Sequence, residues 1–512
     1  MEFVGRLPRW LAVVAIPLAL FLGLVAWGLA SPVGASPDDD YHLASIWCGA
    51  GVREGICEKG DASDERRVPA TLIEYSGCYA FKPAASADCP QEPSTVLVDT
   101  DRGNFDASYP PVFYGTLSVF AGPDVALSVV AMRAFNAFLF VGTASALFFV
   151  VGRRLRGPLL FGGLATLVPL GMFLIPSVNP SSWAITSAVT LWVALLAYFT
   201  STGKRRIAAG AIAILMAFAA SGARSDAAAY SVLALAVVGI LLVSRRGIRT
   251  IANRRNAVLA IVPVATVVIA AVFFLFAGQA SVVSLDTGPH SATTSTGGVL
   301  GLAGANLMQL PQLWTGALGT WGLGWLDTAL PGAVWASMLA VFCGLIFWGL
   351  HKLDRRKGLA LLVVFAALVM VPLYILVKDH VMVGQAVQPR YIYPLMIMLV
   401  GIALLGFDRV DIGLGKGQMA VVAILVIIAN SVALHTNIRR YVTGIDVSGP
   451  NLDSRAEWWW SIPISPMGTW ALGSVAFAVA VAGIALYVTS QEPPSQTTLK
   501  AKYEVVAGSR VR

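Results

Sequence analysis

The sequence predicts an all-α polytopic membrane protein of about twelve transmembrane helices, with loops and interfacial helices on one side. Three observations predict it. Of the 512 residues, 57% are hydrophobic and only 12% charged, with a mean hydropathy of +0.73, whereas a soluble globular chain carries about 25% charged residues. Apolar runs close to the roughly 20 residues that cross a bilayer recur along the chain. Lys and Arg fall in every second loop between these runs, as the positive-inside rule requires.

Taken in order, residues 1–30 hold a cytoplasmic N-terminus and the first helix, 9–30. Its apolar run follows Arg6 and Arg9 and exceeds the usual 7–15-residue core of a signal peptide, so an uncleaved anchor is expected. Residues 31–124 form a large acidic loop. Helices two to seven occupy 125–277, at 125–151, 158–176, 181–202, 206–220, 226–243 and 257–277. A second loop, 278–330, carries an interfacial helix, and helices eight to eleven fill 331–435, at 331–350, 358–377, 390–407 and 418–435. A third loop covers 436–465, the last helix 466–489 and a cytoplasmic tail 490–512. With the N-terminus inside, 23 of the 36 Lys and Arg face the cytoplasm. The net charge of +8 thus reflects topology and not nucleic-acid binding.

The first loop holds 15 of the 28 acidic residues, 6 basic ones and four of the five cysteines, Cys48, Cys57, Cys78 and Cys89. An even set in one extracytoplasmic loop points to two disulfides in any of three pairings. Without a CxxC the spacing does not favour structural zinc. Cys343 is expected in the helical core. No Walker A or dinucleotide fingerprint is present, and the "GLGKGQ" at 413–418 reads as a turn. Apart from Arg133 the spans are nearly free of ionisable residues, which argues against an ion-coupled pump.

Polar residues gather instead at the outer ends of the spans. After helix one stand Asp38, Asp39, Asp40 and His42; later come Tyr109, Asn179, Arg224, Asp226 and Asp327. Lys378 and His380 precede Gln388, Arg390 and Tyr391. Singly each reads as an interfacial rim; together they point to a shared extracytoplasmic cavity. The apolar, Pro- and Gly-broken segments 109–122 and 305–325 fit interfacial helices, and "WWW" at 458–460 an aromatic belt.

Pro37-Asp38-Asp39-x-x-His42 resembles the "PDExxH" of an uncharacterised bacterial family of predicted multi-pass integral membrane proteins. The same family shows "YPPxxY" (Tyr109 to Tyr114), "S-x-N-P" (Ser177 to Pro180), "GWLDTxLP" (Gly324 to Pro331) and "QxRYxxP" (Gln388 to Pro394). That family is similar to the GT-C superfamily of glycosyltransferases, which move a sugar from a polyprenyl-phosphate donor on the extracytoplasmic face. The resemblance implies a general base in the first outer loop. Asp38 falls on the family's Asp, and Asp39 replaces its Glu, which leaves the base open between them. It also implies an envelope glycan, glycolipid or protein as acceptor and the bacterial inner membrane as location.

The chemistry suits the residues. A carboxylate within reach of the acceptor hydroxyl can take its proton, and paired guanidinium donors grip phosphate. Arg390, Arg224, Lys378 and His380 are the phosphate-binding candidates, and a magnesium or manganese ion shared by Asp38 and Asp39 could serve the same end. The alternatives are a lipid-linked saccharide flippase or exporter without covalent chemistry, and a scaffold for an envelope enzyme.

Overall fold

A computed structural model describes residues 9–89, 95–242, 258–277, 298–406 and 413–490. The chain is embedded in the membrane and mostly helical. Among the described residues nine helices are long and apolar enough to cross a bilayer, and two shorter apolar helices, Val13–Leu29 and Pro389–Ala403, accompany them.

The chain starts with α1 (Arg9–Leu29) and, beyond a tight turn, α2 (Asp39–Trp47). The first loop then carries α3 (Ala70–Glu74), α4 (Val112–Leu117) and a three-stranded antiparallel sheet in the order β1 (Glu58–Lys59), β2 (Arg66–Pro69), β3 (Leu97–Thr100). Arg66 pairs with Thr100 and Val68 with Val98. Of the three possible disulfide pairings the fold adopts the sequential one, Cys48–Cys57 and Cys78–Cys89, with Cα separations of 5.2 and 6.4 Å.

The bundle begins with α5 (Val125–Val150), whose Arg133 is buried. Its guanidinium donates to Gly28 O, Ser31 O and Pro32 O at 2.8, 2.5 and 2.7 Å. Gly28 belongs to the last turn of α1, whose carbonyls lack partners within the helix, and Ser31 and Pro32 follow directly after it. Asn437 Nδ2 donates to Ala30 O at 2.9 Å from the opposite side. The one ionised group foreseen inside a span is therefore a helix cap.

The crossing expected at 158–176 is not a continuous helix. The segment breaks into α6 (Arg153–Gly157), a π turn at Pro158–Gly162, α7 (Gly163–Thr166) and α8 (Leu170–Leu174). Pro158, the Gly162–Gly163 pair and Pro169 interrupt the hydrogen-bond ladder. Nearly every residue from 155 to 184 is buried, as a broken backbone at membrane depth demands. A Cβ on Gly162 would come within 3.3 Å of Gly401 Cα, and Thr166 Oγ1 returns to Gly162 O at 3.0 Å.

Next come α9 (Ser181–Thr200), buried along most of its length, then α10 (Gly203–Ala223), α11 (Ser225–Leu242) and α12 (Ile261–Phe276). Beyond them α13 (Gly298–Thr315) buries a stripe of Leu302, Asn306, Leu310 and Leu313 and exposes Leu300 and Met308. The interfacial helix expected within 305–325 thus begins earlier and ends in a π turn at Gly316–Thr320. Residues 278–297, the start of that loop, lie outside the described residues, as does the tail beyond 490.

The last helices are α14 (Gly332–Gly349), α15 (Arg355–Lys378), α16 (Pro389–Ala403), α17 (Lys416–Val442) and α18 (Pro466–Ser490). Cys343 is exposed on α14 and does not belong to the core. Helix α17 runs past its expected end at 435, which brings Arg439 and Arg440 onto a helix instead of a loop. The small residue Gly473 lets α18 approach α1 closely, because a Cβ there would meet Leu434 and Ala26 at 2.4 and 2.9 Å. Trp27 Nε1 donates to Asn430 Oδ1 at 3.0 Å and ties α1 to α17.

Candidate active site

Between α1 and α2 the chain turns through Ser31–Pro37, and Asp38 is left in the left-handed region with φ 59°. A non-glycine residue held there signals strain that the surroundings must maintain. Three contacts maintain it. Asn179 Nδ2 donates to Pro37 O at 2.8 Å, and Arg390 Nη1 donates to the same oxygen at 3.3 Å. Arg390 Nη2 donates to Asp38 Oδ2 at 2.5 Å. The Asp38 side chain remains 32% exposed while that of Arg390 is 3% exposed, so the carboxylate forms an accessible surface over a buried cation.

One helical turn on, His42 lies on the same face of α2 as Asp38. Its Nδ1 pairs with Tyr114 Oη at 2.9 Å, and the rings of Tyr41 and Tyr109 meet it edge-on at 5.6 and 5.7 Å. Tyr114 comes from α4, the last position of the "YPPVFY" run, and α4 exists because Pro110 and Pro111 start a short helix there.

The second guanidinium arrives from the junction of α10 and α11. Arg224 donates through Nε and Nη2 to both oxygens of Asp226, at 2.8 and 2.9 Å. Its guanidinium carbon stands 4.7 Å from the centre of the Tyr391 ring, and that of Arg390 stands 5.1 Å from it. One aromatic ring thus lies close to two buried arginines. Arg390 Nη2 also donates to Tyr391 Oη at 3.2 Å, and Tyr230 Oη donates to Tyr391 O at 3.0 Å.

Electrostatics split the two aspartates. Burial acts to raise the Asp38 carboxyl, but Arg390, and beyond it His42 and Arg102, hold it below the usual carboxylate range. Asp39 is fully buried, and burial pushes it up to about 7 against the pull of Arg133 and Ser36. Its Oδ2 accepts from Ser36 N at 3.0 Å, while Oδ1 has no hydrogen-bond partner. Burial drives the His42 imidazole down to about 3, against the opposing Asp38, so it is neutral near pH 7. Burial, opposed by Arg224, lifts the Tyr109 hydroxyl to about 12.

Asp38 and Asp39 do not share a ligand position. One carboxylate faces Arg390 and the other turns back into the α1–α2 turn toward Ser36. A divalent cation needs several converging oxygens, and among the described residues no group of three or more His, Cys, Asp or Glu could hold one. The donor set does not fit the shared-ion arrangement.

The structure brings Asp38, His42, Tyr109, Arg224, Asp226, Arg390 and Tyr391 into one cluster, with Asn179 fixing the turn beneath it. Gln388 caps α16 beside it. Asp40 is engaged elsewhere, by Arg102 through Nε and Nη2 at 2.7 and 3.1 Å. Lys378 and His380 are exposed at the end of α15. Asp327 is drawn into a separate buried pair with Arg440 at 2.7 Å. Sequence reasoning did not single out Tyr114, Tyr230 or Arg102 as site groups. Tyr114 had a signal in its motif, whereas Tyr230 and Arg102 are recognisable by position in space alone.

Beside Arg390 opens a shallow cleft, bounded by Pro37, Phe173, Trp321, Leu326 and Gln388.

No curated protein and no solved structure matches the chain. A family whose members are described as predicted membrane proteins matches it over residues 20–400, a span that contains the whole cluster from Asp38 to Tyr391. The chain therefore belongs to that family, DUF2142.

Proposed function

We propose that the protein is a GT-C-type membrane glycosyltransferase that moves a sugar from a polyprenyl-phosphate donor to a cell-envelope acceptor on the extracytoplasmic face. The observation that supports this reading is the accessible Asp38 carboxylate lying directly on a buried arginine, with a second buried arginine beside the same Tyr391 ring.

In this reading Asp38 is the general base. It takes the proton of the acceptor hydroxyl as that oxygen bonds to the anomeric carbon. The carbon–oxygen bond to phosphate breaks, and the pair of electrons leaves with polyprenyl phosphate. Arg390 and Arg224 neutralise the charge that develops there, through donors already in place. The resting ion pair has a consequence for order. A donor phosphate that draws Arg390 away from Asp38 releases the carboxylate and raises its basicity, so donor binding arms the base. His42, neutral and bonded to Tyr114, holds the wall of the site, and Asp39 supports the turn.

The test is transfer of radiolabelled sugar from synthetic polyprenyl-phosphate donors by the purified protein, with Asp38→Asn and Asp39→Asn alongside. Loss of a general base costs roughly 10²–10⁴-fold in rate. That loss is expected for Asp38→Asn with donor binding retained, and a much smaller one for Asp39→Asn. Donor binding without turnover from any donor and acceptor would move the flippase reading ahead.

A further inference from the structure

Two apolar residues next to the cleft are held in a backbone region that suits neither. Phe81 has φ 61° and Leu326 φ 62°, and their side chains are 70% and 42% exposed. Ordinary folding would turn such side chains inward, or place glycine at such dihedrals. Phe81 is fixed by Asp327, the residue after Leu326, whose Oδ2 accepts from Phe81 N at 3.1 Å and from Arg440 Nη2 at 2.7 Å. Arg440 also donates to Tyr79 O at 2.8 Å and Ala85 O at 2.7 Å, on either side of Phe81 in the loop that Cys78–Cys89 closes. The Phe81 ring meets the Trp325 ring edge-on at 5.4 Å, and Trp325 is fixed by donating Nε1 to Gly34 O at 2.9 Å. The outcome is a rigid apolar ridge, Phe81–Trp325–Leu326, whose last residue lines the cleft.

The cleft itself is not purely apolar. Arg390 lines it, is 4% exposed, and keeps an Nε without a hydrogen-bond partner. Gln388 offers an amide beside it. We propose that the cleft and the Phe81–Trp325–Leu326 ridge form a saccharide-binding site. A pyranose has an apolar C–H face that lies on aromatic and aliphatic surface, and a hydroxyl edge that takes amide and guanidinium donors. A fatty chain would leave the Gln388 amide unpaired, at a cost. The ridge joins the disulfide-closed loop, through Phe81, to the 324–331 turn, through Trp325 and Leu326. The assignment deepens the proposed function by giving its hydroxyl-bearing acceptor a place next to Asp38, and it is tested without turnover.

The experiment is saturation-transfer NMR on the full chain in lipid nanodiscs, with neutral trisaccharides of glucose, mannose and N-acetylglucosamine as probes. A neutral tripeptide and a short-chain prenol are the controls. Phe81→Gly and Leu326→Gly remove the side chains while fitting the left-handed backbone, so both variants should fold at least as well as the parent. The expected result is binding of at least one trisaccharide, weakened about tenfold in either variant, with melting temperature unchanged or raised. Binding of no trisaccharide, or equal binding in both variants, overturns the assignment. A peptide or prenol that binds in place of sugar and is lost in Phe81→Gly also overturns it. Sugar transfer whose acceptor KM ignores both variants sinks the cleft assignment and leaves the proposed function standing; saccharide binding without transfer does the reverse.

Discussion

Asp38 and Asp39 are neighbours of one chemical type whose surroundings give them opposite tasks. Asp38 is ionised well below neutral pH because Arg390 outweighs its burial. Transfer should therefore stay flat as pH falls through 6 and decline only near or below the ordinary carboxylate range of about 4. A pH–rate profile of kcat/KM checks this; an acidic limb near 7 would point to Asp39 instead. Asp39 has its folded value raised to about 7 from 3.8, so the native state holds a proton that the unfolded chain has lost. Its contribution to stability falls as pH rises from about 4 to about 7, by roughly 4 kcal/mol on linkage. Thermal unfolding in nanodiscs should show that slope, and Asp39→Asn should remove it. An unchanged slope would place the titration elsewhere.

Among the elements, the segment from Gly324 to Pro331 is the clearest case of a motif whose work is structural. Gly324 has φ 61°, and a Cβ there would meet Tyr441 Oη at 2.4 Å. Leu323 and Thr328 close the turn with a β-bridge, and Asp327 reaches back to Arg440 on α17. Both partners are buried, with side-chain exposures of 6% and 0%. Removing one member of a buried ion pair strands the other, so Arg440→Ala should cost about 3–5 kcal/mol. The melting temperature of the variant, with saccharide binding read in parallel, checks this. The broken segment α6–α8 illustrates the reverse relation. It is apolar enough to cross, yet its glycines and prolines make it a filler packed against Gly401 and Val189, and it lends Phe173 and Leu174 to the cleft.

Across the whole molecule, one face gathers the disulfide-bonded loop, the arginine cluster and the ridge, and the charge pattern predicts that this face is extracytoplasmic. A Cys343→Ser background with single cysteines at exposed Val52 or Lys204 tests it in intact cells. Val52→Cys should react with a membrane-impermeant maleimide and Lys204→Cys should not. The reverse labelling would invert the topology and remove the basis for an extracytoplasmic reaction.

The sequence by itself determined the membrane character, because a chain with 12% charged residues has too little polar surface to face water. It also singled out several members of the cluster, Asp38, His42, Arg224, Asp226 and Arg390 among them, since charged residues of an apolar chain stand out at the ends of its spans. The ends of helices and the partners of charges came only with tertiary structure. Composition cannot distinguish an apolar segment that crosses from one that breaks and fills, which is why 158–176 reads as a span. Nor can it show whether Asp327 and Arg440, 113 residues apart, meet, because burial pays for a charge only when a distant partner arrives. The same holds for Asp38 and Arg390, 352 residues apart. Their ion pair is a product of packing: α16 lies against the α1–α2 turn and delivers its guanidinium to the Asp38 carboxylate.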